Sequence, residues 1–134
     1  MTTPEPLSLD IVRNAVVSGR LSDGLDLARV DCDALLDARD GEPFESVWLQ
    51  SKATVDEAWT RESPPRHDEF TVEWVRRTMF LSVSRATGQH EIASAVSDDL
   101  ELIARAAAAG LRDAFVLSLW DSYRGGEIPA SVED

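Results

Sequence analysis

Apolar residues recur every three or four positions along most of this chain, and the densest such run is Ser97–Tyr123. Leu100, Ile103, Ala104 and Ala107 stand at i, i+3, i+4 and i+7, which puts them on one side of a helix. Ser97, Asp98 and Asp99 are helix-starting types, because short polar side chains accept hydrogen bonds from first-turn N–H groups that lack a partner within the helix. Asp98 and Glu101 also have the spacing of a capping box. The run Ala106–Ala109 favours helix, and Gly110 can take the left-handed conformation that closes one. A second helix follows, with Val116, Leu119, Trp120 and Tyr123 at helical spacing, until Gly125-Gly126 and Pro129 end it. The pattern therefore predicts a helical hairpin at the core.

The same periodicity predicts helices upstream. Leu9, Val12, Val16 and Val17 mark one over Ser8–Ser18, closed by Gly19. A second is expected from near Ser22 to before Gly41, with Leu21, Leu25, Ala28, Cys32, Leu35 and Leu36 on its apolar side. Pro43 fits the first position of a third, carrying Phe44, Val47, Trp48, Ser51, Val55, Ala58 and Trp59; Thr54 with Glu57 has capping-box spacing, so the segment is either one helix or two short ones. Glu62–Asp68, with its paired prolines, reads as an exposed loop. Asp68 can then cap a helix over Glu69–Ala86, whose apolar side is Val72, Val75, Met79 and Val83, widened by Trp74, Phe80 and Leu81. Gln89–Val96 is either a short helix or the start of the next, since Ile92 and Val96 stay in phase with Leu100 and Ile103. The fold class expected is all-α, one compact domain over 1–134 of about five to seven helices, with residues 1–6 and 130–134 frayed.

Composition adds the charge. The chain has 25 acidic and 13 basic residues, a net charge of −12, and an even spread: four bases against eight acids in residues 1–40, three against seven in 41–69, six against ten in 70–134. That excess disfavours nucleic acid and anionic membrane as partners, because phosphate binding needs clustered Lys and Arg. It permits fast, salt-sensitive association with a basic protein, and it equally serves solubility in an acidic, arginine-rich proteome. No apolar run approaches the roughly 20 residues that span a bilayer. The N-terminus has no basic-then-apolar leader, and the lone Cys32 fits a reducing compartment, so a cytoplasmic location is expected.

On the helix expected over 22–40, Asp23, Asp26, Asp33, Asp37 and Asp40 fall within roughly a third of the circumference. Arg29, four residues before Asp33, is the obvious local relief for their mutual repulsion. This stripe is either a solvated face or a docking surface for a cationic partner. Asp26, Asp33, Asp37 and Asp40 are its candidate contacts, with Arg66 and His67 in the 62–68 loop as secondary ones.

Catalytic and metal chemistry find little footing. Cys32 lies on an apolar helical side, where cysteines are inert, and neither His67 nor His90 is paired in sequence with a nucleophile. His90, Glu91, Asp98 and Asp99 are the one set of metal-ligand types close enough in sequence to converge, but they lack HExxH, CxxC or calcium-loop spacing, and Asp98-Asp99 is accounted for by capping. No metal, cofactor or enzymatic activity is expected. Glu73 can pair with Arg77. Of Trp48, Trp59, Trp74 and Trp120, core packing is the default, though a partly exposed tryptophan can anchor an interface.

Across Phe80–Pro129 the residues Glu91-Ile92, Val96-Ser97-Asp98-Asp99-Leu100, Leu102-Ile103, Leu119-Trp120, Tyr123 and Gly126-Glu127-Ile128-Pro129 follow one another in an order that resembles small bacterial immunity proteins. The resemblance implies an acidic, cytoplasmic, non-enzymatic protein that neutralises a cognate toxin, many such toxins being basic nucleases. It transfers no contact residues. The expectation is thus a stoichiometric inhibitor of a basic partner, with a self-associating structural or regulatory protein as the alternative.

Overall fold

A computed structural model describes residues 7–132; the expected fraying of 1–6 and of 133–134 lies outside the described residues. Within them the chain forms seven helices and no strand: α1 (Leu9–Val17), α2 (Arg20–Gly24), α3 (Cys32–Asp40), α4 (Phe44–Glu62), α5 (Arg66–Thr87), α6 (His90–Ala109) and α7 (Ala114–Arg124). The fold is all-α.

The organising helix is α6, and it starts earlier than the capping residues suggest. Gln89 precedes its first turn, so Ser97, Asp98 and Asp99 sit mid-helix and cap nothing. The apolar phase that links Ile92 and Val96 to Leu100 and Ile103 outweighs the local preference of three polar residues for a helix start. All four side chains are buried, along with Ala93, Leu102, Ala104 and Ala106. Each buried Ile or Leu contributes about 1.5–3 kcal/mol of transfer free energy. The main partner of α6 is the long α5, which buries Val72, Val75, Met79 and Val83, while α4, α7 and α1 cover the rest. Gly110, left-handed at φ 67°, stops α6, and Asp113 caps α7 by accepting from Val116 N–H at 3.0 Å.

Two other boundaries and one ion pair differ from expectation, and one open alternative is decided. The single helix expected over 22–40 breaks into α2 and α3. Gly24 is a weak helix former, and Asp31 turns its side chain back to accept from Ala34 N–H at 3.0 Å, starting a new helix. Leu25 and Cys32 are buried on either side of the break. Helix α4 is continuous: Thr54 Oγ1 bonds back to the Gln50 carbonyl at 3.1 Å, the habit of a mid-helix threonine and not of a cap. The 62–68 loop shrinks to Ser63-Pro64-Pro65, because Arg66, His67 and Asp68 already form the first turn of α5. Glu73 pairs with Arg76 at 2.9 Å, three residues on, and not with Arg77.

Candidate functional site

Helix α3 has two kinds of face. Cys32, Leu35, Leu36 and Arg39, spaced i, i+3, i+4 and i+7, turn inward, with Cys32 and Arg39 buried. Asp33, Asp37 and Asp40 share the same spacing about one residue further round, and all three are exposed. What fixes the outward face is therefore the inward one, and its anchor is an ion pair.

Arg39 donates Nη2–H to Asp99 Oδ1 at 2.8 Å and Nη1–H to Asp99 Oδ2 at 2.9 Å, the bidentate geometry that suits guanidinium and carboxylate. Trp48 Nε1–H donates to Oδ1 at 2.8 Å and the Tyr123 hydroxyl to Oδ2 at 2.6 Å. Asp99, wholly buried in α6, thus accepts four hydrogen bonds from α3, α4 and α7. Arg39 also binds the Pro129 carbonyl at 2.8 Å, which ties down the segment after α7, and lies 4.7 Å over the Phe44 ring, itself edge-on to Phe115. Burial opposes the Arg39 charge but is outweighed by Asp99, so its pKa is raised. Burial first, then the Asp99 charge, push the Tyr123 hydroxyl well above the ordinary tyrosine range, which keeps it a donor. Helices α3, α4 and α7 are thereby pinned to one carboxylate of α6.

The set His90, Glu91, Asp98 and Asp99 does not converge, since Asp99 is consumed in this network and His90 Nδ1 lies 2.9 Å from Ser84 Oγ. Among the described residues no three His, Cys, Asp or Glu side chains group as metal ligands. Burial, reinforced by Asp33 and Asp31, raises the Cys32 thiol, leaving it protonated and unreactive. A second ionic cluster lies nearer the surface. Asp56 takes Lys52 of its own helix and Arg105 of α6 at 2.9 Å; burial opposes the carboxylate's charge but those two cations win and its pKa falls. Arg105 also lies 5.5 Å over Trp59.

Two surface clefts adjoin these helices. One, about 310 Å³, lies between the α2–α3 connection and the segment after α7; Leu25, Val30, Leu35 and Ile128 line it together with Asp26, Arg29 and Glu127. Gly126, at φ 85°, lets that segment press against α2, for a Cβ there would stand 2.6 Å from the Gly24 carbonyl oxygen. The other, about 510 Å³, is bounded by Arg13 of α1 and by His67, Phe70, Trp74 and Arg77 of α5.

A protein-family model described as Immunity protein PIM1 matches residues 11–130, which is 120 of the 134 positions and takes in all of α2–α7. The chain belongs to that family. No curated protein matches it. The match begins well before Phe80, so the helices that carry the acidic face are as much part of the PIM1 immunity-protein pattern as the α6–α7 region.

In this immunity protein the expected five-aspartate stripe is divided by the break at 25–31. Asp33, Asp37 and Asp40 stay together on α3, while Asp26 belongs to the turn, on the rim of the smaller cleft. Arg29 relieves Asp26 at 3.6 Å and not Asp33. Arg66 and His67 are exposed in the first turn of α5, and His67 borders the larger cleft. The residues that sequence reasoning missed are Arg39 and Asp99. Their signal was present: each is a charge at a core-facing position of its own helix, Arg39 in phase with Cys32 and Leu35, Asp99 in phase with Ile92, Val96 and Ile103.

Proposed function

We propose that the chain neutralises a protein toxin by binding it one to one, with no chemistry of its own, in the cytoplasm. Membership of an immunity-protein family is the observation that carries this reading. The partner is a basic protein such as a nuclease toxin, and inhibition is steric and electrostatic cover of its cationic active site. The contact surface is Asp33, Asp37 and Asp40 of α3 with Asp26 beside them, and Arg66 and His67 form a secondary contact.

The charge of −12 and the exposure of all four aspartates support the surface. So does the adjoining cleft, whose Leu25, Val30, Leu35 and Ile128 lining suits the aliphatic stem of an incoming Arg or Lys while Asp26 and Glu127 meet its head. Among the described residues no helix is long and apolar enough to cross a membrane.

The test is capture from host lysate at low and moderate salt, with mass spectrometry. One basic protein held at near-equal amount and released as salt rises is the expected result. Recovery of the bait alone, sizing as a dimer or larger, would defeat this reading and favour self-association, for which the exposed Phe70–Trp74 face of α5 is the specific observation.

A further inference from the structure

The outward face of α5 is unlike the rest of the surface. His67, Phe70, Trp74, Arg77 and Leu81 follow one another at steps of three, four, three and four, so they form one continuous stripe along the helix. Phe70 is 71 % exposed, Trp74 40 % and Leu81 41 %. A soluble protein seldom leaves aromatic side chains aligned in water without a use for them, and Trp and Arg are the side chains that most often dominate binding energy at interfaces. From His67 to Arg77 the stripe lines the 510 Å³ cleft, whose far wall is Arg13 of α1.

Its charge runs against that of the chain. Arg13 and Arg77 pair with no carboxylate among the described residues, although acids outnumber bases 25 to 13. The one acid in the cleft wall, Glu73, is already held by Arg76 through bonds of 2.9 and 3.3 Å. The apolar floor is therefore bordered by two cations that pair with no carboxylate among the described residues.

We infer that this cleft is a second docking surface, taking an acidic amphipathic helix or strand of the toxin: an apolar side chain seated between Phe70 and Trp74, with a flanking carboxylate on Arg13 and Arg77. This rests on the inhibitor reading and refines it, since the α3 face and the α5 face then read opposite charges on one partner and fix its orientation.

The probes are two blocked helical peptides with the same leucine stripe, one flanked by glutamates and the other by lysines, titrated into the full-length protein and followed by NMR. The glutamate peptide should shift the Trp74 indole and Phe70 ring signals and bind about five- to tenfold more tightly than the lysine peptide, as two partly exposed ion pairs allow. In Arg13→Gln/Arg77→Gln that preference should vanish while apolar binding persists, and Phe70→Ala/Trp74→Ala should lose both peptides. Equal affinities, a preference for lysine, or no shift at Phe70 and Trp74 up to about 1 mM peptide would overturn the proposal. So would sedimentation of the free protein as a dimer that Phe70→Ala dissociates, because the occupant is then a second copy. If toxin is neutralised undiminished by Phe70→Ala/Trp74→Ala, this surface fails while the inhibitor reading stands.

Discussion

Asp99 lies in the core with four donors on its two oxygens, whereas Asp33, Asp37 and Asp40 stand outside on α3 with no cation paired to them among the described residues. The residue type is the same and the solvent is not. A buried carboxylate has lost its water and must be repaid by hydrogen bonds, so its neighbours are fixed in place. An exposed one keeps its water and constrains nothing in the fold, which leaves it available to another molecule. Asp56 stands between the two, half-buried and held by Lys52 and Arg105. If solvent exposure sets the division of labour, substitutions should grade in the same order.

The sharpest break is Arg39→Met. It strands a buried carboxylate, so the loss of stability should be about 3–5 kcal/mol, read as a fall in the urea midpoint. Adding Asp99→Leu should recover a good part of that, because the stranded charge is gone. A single-mutant cost below about 1 kcal/mol would mean that water reaches Asp99 and that the contrast with α3 is false.

Tyr123→Phe removes one of four donors and should cost about 1–2 kcal/mol. It also changes the alkaline limb. The folded hydroxyl has a raised pKa, from burial and then Asp99. Its contribution is therefore fully present below the unfolded tyrosine value near 10 and is lost as pH rises through the folded value. The wild type should lose stability above about pH 10 more steeply than Tyr123→Phe does, as urea midpoints from pH 8 to 11 would show.

Asp56 has the opposite sign. Its folded pKa is depressed by Lys52 and Arg105, so its contribution is present above the unfolded carboxylate value near 3.9 and fades as pH falls below it. Partial exposure screens the pairs, and Asp56→Asn should cost no more than about 1 kcal/mol at pH 7, a cost that shrinks as the pH falls through the folded value. A cost that does not shrink in acid would mark a packing effect.

Smallest is the triple change Asp33→Asn, Asp37→Asn and Asp40→Asn, expected within about 0.5 kcal/mol of wild type in urea. With Asp26→Asn added, it should slow association with the captured partner and flatten its salt dependence in stopped-flow. Unchanged association kinetics would remove the α3 face from the proposed interface.

Much of the fold was legible because helices are written in neighbouring residues. Ser8 accepts from Ile11 N–H at 3.2 Å, Gly110 is left-handed, and Val72, Val75, Met79 and Val83 of α5 and Val116, Leu119, Trp120 and Tyr123 of α7 lie inward as their spacing requires, whereas Trp74 and Leu81 of α5 are exposed. Signals of that kind failed where two local preferences competed. Ser97-Asp98-Asp99 resembles a helix start in isolation, yet the buried phase running from Ile92 to Ala106 carries α6 straight through it. At 25–31 the periodicity suggests continuity, and Gly24 with the Asp31 cap breaks it. The family pattern, too, was visible only in part. Phe80–Pro129 carried the resemblance, while the family match extends back to residue 11 through helices whose order alone resembled nothing in particular.

Taken alone, the sequence determined the helical class, the inward faces, the acidity of the whole and the availability of acids on one side of α3. These depend on spacing within a helix and on composition, both of which are local or additive. Only the tertiary structure decided that Arg39 and Asp99, 60 residues apart, bury each other, and that Trp48 and Tyr123 complete the set. Likewise only the packing of α1 on α5 turns Phe70, Trp74 and Arg77 into one wall of a cleft with Arg13 as the other. The physical reason is the same in both cases: whether a charge or an aromatic ring meets water or protein depends on which helix lies across from it, and helical periodicity says which way a side chain points but not what it meets.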